Sequence, residues 1–234
     1  MARKDLQKIV IVDLDETLTK KGTWGRFVTR SIRHQPHKWV PFFLSSLGQQ
    51  ILYMAGIGPR EHVKEKMMRW TLSGRSKQDL QAMAEVFAEK EVKDGLRNRS
   101  LTVLDRHRKQ GARIILASAA VDLICDPIAR RLGIDEVVCT KTAYDEHGRL
   151  ARKLGGQNCY GQGKLELVKA HLEQEPDFTR AGVHITMYSD SRSDLAILQW
   201  ADVGIAVNPS PRLRKHCEQY GFEIQDWDEE ETSA

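Results

Sequence analysis

The sequence predicts an α/β fold built on a doubly wound parallel sheet, with an all-helical segment inserted after the first strand. Three observations predict it. Four strongly apolar runs alternate with helical patterns, which is typical of a parallel sheet. Each of these runs ends close to a polar side chain, at the edge where such sheets bind ligands. A long segment without any strand-like run separates the first apolar run from the second.

The first strand is predicted at Ile9–Val12, a β-branched run that is continuous rather than alternating and therefore suits a strand buried on both faces. It leads directly into Asp13. Three later runs have the same character and are followed by Ser118, Asp190 and Asn208; they cover residues 113–117, 183–188 and 203–207.

Helical patterns lie between and after these strands, at residues 101–110, 121–132, 164–173 and 193–200. A small hairpin is predicted within residues 141–152, with its turn at His147 and Gly148. The acidic residues 226–231 are expected to form a solvated, frayed end.

The segment after the first strand is predicted to be a helical cap over residues 20–92, which leaves residues 1–19 and 93–234 as the core. It holds 13 Lys or Arg against 6 Asp or Glu, so it is basic. Within it, helical spacing relates Val40, Phe43, Leu47, Ile51 and Met54. We expect this stripe to form the cap's own hydrophobic core; a membrane-facing surface is the alternative.

Composition is that of an ordinary globular chain, with 41% hydrophobic and 29% charged residues among 234. The net charge of +4 does not indicate a nucleic-acid partner, and nothing in the sequence points to an obligate protein partner. The four cysteines form no metal-binding or redox pair, and the apolar run after Met1–Asp5 is too short for a signal-peptide core. We therefore expect a cytoplasmic protein.

Two acidic pairs follow predicted strands. Asp13 and Asp15 leave the first strand two residues apart, a spacing that lets one carboxylate act as a nucleophile toward phosphorus and the other as a general acid. Asp190 and Asp194 follow a later strand. A concentration of carboxylates near a phosphate calls for a hard divalent cation such as Mg²⁺. Taken singly, each pair is also explained as a strand end or a helix cap.

Two further residues complete a phosphate site. Ser118 ends a strand and precedes a helix, so its hydroxyl and nearby N–H groups, including that of Ala119, suit phosphate oxygens. Lys164 lies at the start of a helix, where its charge would stabilise a transferring phosphoryl group. Each would be unremarkable alone, as a helix cap or a solvated lysine.

Together the four features resemble the motifs of the haloacid dehalogenase superfamily: a D-x-D-x-T/V strand end, a Ser or Thr strand end, a Lys and a D-x-x-x-D pair. This sequence supplies them as Asp13/Asp15/Thr17, Ser118, Lys164 and Asp190/Asp194. The resemblance implies a Rossmann-like core, Mg²⁺ as cofactor, and phosphatase activity through an aspartyl phosphate.

The resemblance also implies the roles of individual residues. Asp13 would be the nucleophile and Asp15 the general acid and base. Mg²⁺ would be bound by Asp13, Asp190 and the backbone carbonyl of Asp15. The phosphate would be bound by Thr17, Ser118, Ala119 and Lys164. Asp194 and Ser191 would support the metal ligands without binding the metal themselves.

The sequence indicates the substrate less clearly than it indicates the reaction. The sequence is similar to the phosphoserine phosphatase branch, but Gly22 stands where that branch has a Glu for the substrate's amino group, which argues against phosphoserine. Residues 158–161, 188–191 and 207–209 resemble bacterial phosphatidylglycerophosphate and histidinol phosphate phosphatases. In the insertion, Trp24 is a candidate for lining the site, and Arg26, Arg30 and Arg33 are candidates for attracting an anion; a solvated helix face is the alternative.

Three functions are therefore weighed. The leading one is a Mg²⁺-dependent phosphatase acting on a small cytoplasmic phosphomonoester. The second keeps this chemistry but acts on a phospholipid head group at a membrane surface. The third, a catalytically silent binding module on the same fold, is remote because every motif residue is present.

Overall fold

The computed structural model describes residues 6–229, so Met1–Asp5 and the acidic Glu230 and Glu231 lie outside the described part. Its main feature is a six-stranded sheet in which every pair of neighbours is parallel, in the order β3-β2-β1-β6-β7-β8. The strands are β1 Gln7–Val12, β2 Arg113–Val121, β3 Glu136–Thr140, β6 Val183–Ser189, β7 Val203–Val207 and β8 Glu223–Gln225. Two more strands, β4 Thr142–Tyr144 and β5 Leu150–Leu154, form a separate antiparallel hairpin.

Nine α-helices connect the strands within the described residues. Four of them lie between β1 and the next core helix: α1 Thr23–Ser31, α2 Pro36–Met54, α3 Glu61–Thr71 and α4 Lys77–Lys90. The other five are α5 Ser100–Lys109, α6 Asp122–Arg131, α7 Gln162–Leu172, α8 Leu195–Trp200 and α9 Pro211–Tyr220.

The sheet is doubly wound, because the chain runs from β1 to β2 and β3 on one side and from β6 to β7 and β8 on the other. The strand order reverses beside β1, where Val10 pairs with Ile114 of β2 and with Thr186 of β6. The predicted fold class is confirmed. A reversal of this kind leaves a crevice at the carboxyl ends of the strands, where ligands bind in such sheets.

Both faces of β1 are buried, as its continuous apolar run predicted. Val10 and Val12 belong to the hydrophobic cluster on one side of the sheet, and Ile9 and Ile11 to the cluster on the other. A slip by one residue would move Lys8 or Asp13 into the buried part of the strand, and this fixes the register of β1. The position of Asp13, immediately after the strand, is fixed with it.

The expected role of the apolar stripe in α2 is wrong. Val40, Phe43, Leu47, Ile51 and Met54 are between 55% and 75% exposed, so they do not form the core of the insertion. That core is instead made by side chains of the other three helices together with the opposite side of α2; these include Phe27, Phe42, Met68, Leu80 and Phe87. The prediction that residues 20–92 form a separate unit stays a prediction.

The C-terminal segment also differs from expectation in its described part. Trp227 is fully buried and its ring lies 5.2 Å from that of Tyr188, and Asp228 forms an ion pair with Arg97. Trp227 therefore holds residues 226–228 on the core, so this part is not frayed, although the side chains of Asp226 and Asp228 are exposed as expected.

All four cysteines are free, and all four are buried, as the sequence predicted. Among the residues that the structure describes, no helix combines the length and apolar character needed to cross a bilayer.

Candidate active site

The sequence-predicted motif residues meet at the carboxyl ends of β1, β2 and β6. A cavity of about 280 Å³ opens there, beside the first turn of α7. Its walls combine the acidic pairs with residues from the insertion, as follows: Asp13, Asp15, Glu16, Gly22, Arg60, Ser118, Ala119, Tyr160, Lys164, Asp190, Ser191, Ser193 and Asp194.

Lys164 joins two of the motif carboxylates. Its Nζ lies 2.7 Å from Asp13 Oδ1 and 2.6 Å from Asp194 Oδ2, and all three side chains are buried. Burial alone would lower the pKa of Lys164, but the two carboxylates raise it above its usual value, so the lysine stays charged. Burial raises the pKa of Asp13 well above its ordinary range, against the opposing effect of Lys164.

Asp190 is held by Thr17. The Thr17 hydroxyl donates to Asp190 Oδ1 over 3.1 Å and accepts from the Asp190 backbone N–H over 2.9 Å. Burial, followed by the charge of Glu16, raises the pKa of Asp190 to about 7. Thr17 is not in the cavity wall, so it contacts Asp190 rather than the substrate position expected from sequence.

Asp15 is held by the first residue of α1. The backbone N–H and the hydroxyl of Thr23 both donate to Asp15 Oδ1, each over 2.6 Å. Two donors on one oxygen fix the orientation of the carboxyl group. The helix N-terminus adds a favourable dipole to this contact.

The Ser118 region also fits a phosphate. Ser118 is fully buried, and its Oγ accepts from the backbone N–H of Ala120 over 3.1 Å. The carbonyl of Ala119 accepts from Lys64 of α3, whose ammonium also donates to Asn158 Oδ1 over 2.5 Å. Burial lowers the pKa of Lys64 to about 8.

A family model described as haloacid dehalogenase-like hydrolase matches residues 10–199, which include all four motifs. The chain belongs to this family. The predicted superfamily and the prediction that the chain is a hydrolase are thereby confirmed. Family membership explains why two acidic pairs, a serine and a lysine that lie far apart in sequence converge on one cavity.

Relatives of this hydrolase have been named in several bacteria. Protein CicA of Caulobacter vibrioides is 28% identical over 194 residues, which cover 83% of each chain. Phosphoserine phosphatase SerB1 of Mycobacterium tuberculosis is 28% identical over 159 residues, 67% of this chain and 49% of SerB1, so the match spans about half the length of that relative. A crystal structure of a Bordetella pertussis protein of unknown function matches with a TM-score of 0.83 and 25% identity over 95% of this chain and 99% of that one.

Two residues proposed from sequence for substrate contact lie elsewhere. Trp24 is buried in the hydrophobic cluster, because its ring faces the packed side of α1. Arg26 forms an ion pair with the buried Glu91 and donates to the carbonyl of Gly22 over 2.9 Å. A buried carboxylate without a partner would destabilise the fold, so the Arg26 guanidinium is needed to pair with Glu91. Neither residue lines the cavity.

Ser191, expected behind the metal, instead reaches the cavity wall. Its backbone N–H donates to Ser189 Oγ over 3.1 Å, and its hydroxyl lies 2.9 Å from that of Ser193. Asp194 lines the cavity too, and accepts from Ser189 Oγ over 2.8 Å in addition to Lys164.

Sequence reasoning missed the contributions of Glu16, Arg60 and Tyr160 to the cavity. The Arg60 guanidinium lies 4.1 Å from the centroid of the Tyr160 ring, a cation–π contact between the insertion and the loop before α7. Glu16 has a φ of 61°, and both Nε and Nη2 of Arg97 donate to its carbonyl. Of these three residues, only Glu16 could have been predicted from the sequence, because it lies between Asp15 and Thr17 in the first motif.

The residues present fit a magnesium ion of the kind the family uses. In the described chain, no group of three or more His, Cys, Asp or Glu side chains is arranged as a metal site. Asp13 and Asp190 nevertheless line one cavity, and two carboxylates suffice for Mg²⁺, which keeps waters and substrate phosphate as further ligands. The pKa of Asp190, raised to about 7 by burial, indicates a carboxylate that would gain from a cation.

Proposed function

We propose that this hydrolase is a Mg²⁺-dependent phosphatase that cleaves a small phosphomonoester through an aspartyl phosphate on Asp13. The observation that carries the proposal is the placement of Lys164 between Asp13 and Asp194 at 2.7 and 2.6 Å, in a cavity that also contains Asp15, Ser118 and Asp190. This arrangement brings a nucleophile, an acid and phosphate-binding groups together.

In the first step an oxygen of Asp13 attacks phosphorus and the ester P–O bond breaks. Asp15 gives its proton to the leaving alcohol oxygen. The hydrogen bond from Lys164 engages Asp13 Oδ1, which leaves Oδ2 for the attack. Thr23 supports this role of Asp15, since it holds Oδ1 and leaves Oδ2 for the proton.

In the second step Asp15 removes a proton from water, and the resulting hydroxide attacks phosphorus of the aspartyl phosphate. The bond from phosphorus to Asp13 breaks, which releases inorganic phosphate and restores the carboxylate. Ser118 and Lys164 bind the phosphoryl oxygens during both steps. Asp13, Asp190 and the carbonyl of Asp15 would hold Mg²⁺, which when bound supplies positive charge that offsets repulsion between Asp13 and the phosphate dianion.

The test is release of inorganic phosphate from p-nitrophenyl phosphate with Mg²⁺ and with EDTA. Asp13→Asn should lose at least about a thousandfold in rate, because an amide is not a nucleophile here. Asp177→Asn, an exposed position, is the matched control and should keep the wild-type rate. An Asp13→Asn variant with unchanged turnover would refute the proposal.

The basic helical insertion is proposed to choose the substrate. Gly22 lines the cavity where a Glu would be needed for phosphoserine, and Arg60 adds a cation from the insertion. Although SerB1 carries the name phosphoserine phosphatase, we therefore expect this chain to turn over phosphoserine poorly. A panel of phosphoserine, histidinol phosphate and glycerol 3-phosphate would test that ranking.

A second candidate substrate is a phosphorylated lipid head group. The exposed apolar side chains of α2 favour it, since a phosphatase acting on lipids needs access to a bilayer surface. Turnover of vesicle-embedded phosphatidylglycerophosphate well above that of soluble glycerol 3-phosphate would select this candidate. We further infer a cytoplasmic location, consistent with four free cysteines, and no nucleic-acid or obligate protein partner.

A further inference from the structure

The α2 face is a strip of six exposed apolar side chains on one helix. It consists of Val40, Phe43, Leu44, Leu47, Ile51 and Met54, each between 55% and 75% exposed. At about 100° of rotation per residue, the six positions fall within an arc of roughly 100°. At about 1.5 Å per residue, the strip is about 21 Å long. A strip this long and continuous is more than the scattered exposed residues of an ordinary surface.

The other side of α2 is occupied. Phe42 is buried, and its ring lies 5.2 Å from Phe43 and 6.5 Å from Trp39 in edge-to-face contacts. Helix α2 is thus anchored on the insertion by one side and presents the α2 face outward. Turning the strip inward would require releasing Phe42, so exposure is built into the packing.

Charge around the α2 face indicates what covers it. Residues 17–60 contain seven Lys or Arg and no Asp or Glu. Arg30, Arg33 and Lys38, at or just before the start of α2, make no ion pair with any residue between 6 and 229. Rotation of about 100° per residue places Lys38 on the side of α2 away from the strip, and Arg30 and Arg33 precede the helix. The segment that carries the strip is therefore positively charged and has no acidic residue between positions 17 and 60, which complements an anionic lipid surface.

A second copy of the chain fits the same face less well. A symmetric dimer would place the strip against itself and bring two such basic segments together. Like charges facing each other across an interface oppose association. The charge distribution therefore favours lipid over self-association.

We propose that the α2 face lies flat in the head-group region of an anionic bilayer and docks the protein there without spanning the membrane. The helix carries no charged side chain from Val40 to Met54, so the whole strip can enter the apolar boundary. This proposal concerns binding, so it stands whichever phosphomonoester the cavity hydrolyses.

The experiment is flotation of the full chain with vesicles of phosphatidylcholine and phosphatidylglycerol, at a ratio of about 70:30, compared with pure phosphatidylcholine. We expect binding to the anionic vesicles at low salt and at least about tenfold weaker binding at about 0.5 M salt. The double variant Leu44→Glu/Leu47→Glu should lose at least about a hundredfold in partitioning, because two leucines leave the apolar phase and two negative charges enter.

Leu101→Glu is the matched control, since Leu101 is an exposed leucine of α5 outside the insertion. It should bind like wild type, and all variants should keep wild-type circular dichroism and p-nitrophenyl phosphate turnover. Absence of binding to anionic vesicles at low salt would overturn the proposal, as would equal loss in Leu101→Glu. So would a wild-type dimer in sedimentation velocity that becomes monomeric in the double variant, because a second copy would then cover the strip.

Discussion

Replacement of Lys164 by Met tests the energetics of the active site. The change removes the cation between Asp13 and Asp194 while keeping most of the side-chain volume. Both carboxylates are buried, with 5% and 2% exposure, so neither can recover its hydration in the folded protein. Breaking a buried pair in this way typically costs about 3–5 kcal/mol, and we expect Lys164→Met to lower the free energy of unfolding by that amount.

The assay is urea unfolding followed by circular dichroism at about pH 7.5 with EDTA. Exposed Lys215→Met is the control and should change the free energy of unfolding by less than about 0.5 kcal/mol. Adding Asp194→Asn to Lys164→Met should recover at least about 1 kcal/mol, since it removes one of the two unpaired charges. Because an unpaired buried carboxylate takes up a proton, the deficit should be smaller at about pH 5. A loss below about 1 kcal/mol at pH 7.5 would refute the reasoning.

Three other changes probe the groups around the cavity. Thr17→Val removes both hydrogen bonds to Asp190 and should raise the Mg²⁺ concentration for half-maximal activity about 10–100-fold, read from Mg²⁺ titrations. Arg60→Gln should raise KM for 3-phosphoglycerate about tenfold more than KM for glycerol 3-phosphate, because only 3-phosphoglycerate has a carboxylate that the Arg60 guanidinium can bind. An equal rise in both KM values would show that Arg60 does not bind a second anion of the substrate. Burial lowers the pKa of Lys64 to about 8, so between about pH 8 and 10.5 the unfolded chain binds more protons at this position than the folded chain. The free energy of unfolding of the wild type should therefore rise with pH over this range, by up to about 3 kcal/mol relative to that of Lys64→Met.

The strands that the sequence predicted are those with a local signal. Continuous β-branched runs identified β1, β2, β6 and β7, whose neighbours cover both faces. Strand β3 was missed because Glu136, at its start, breaks the apolar pattern. In the structure Arg113 of β2 and His171 of α7 pair with the Glu136 carboxylate. Strand β8 was missed because a three-residue edge strand with half-exposed side chains carries almost no periodic signal.

The motif residues of the site could be predicted for a related reason. Each one follows a strand or begins a helix of the core, so local pattern and topology together bring it to the same edge. The contributions of Arg60 and Lys64 depend on how the insertion sits over that edge, which no local pattern reports. The α2 face shows the same limit: helical spacing identified side chains that share one face, but not whether anything in the fold covers it.

The insertion contacts two groups to which the proposed mechanism gives a role. Thr23, the first residue of α1, holds one oxygen of Asp15, and Lys64 of α3 holds the carbonyl of Ala119 beside Ser118. Movement of these helices would release the carboxyl group proposed as the acid and base and the backbone proposed to bind phosphate. Because α2 follows α1 after four residues and packs on α3, a surface that fixes α2 would also restrict both of these contacts. If the α2 face docks on a bilayer as proposed, the contacts of Thr23 with Asp15 and of Lys64 with Ala119 should become less mobile on vesicles.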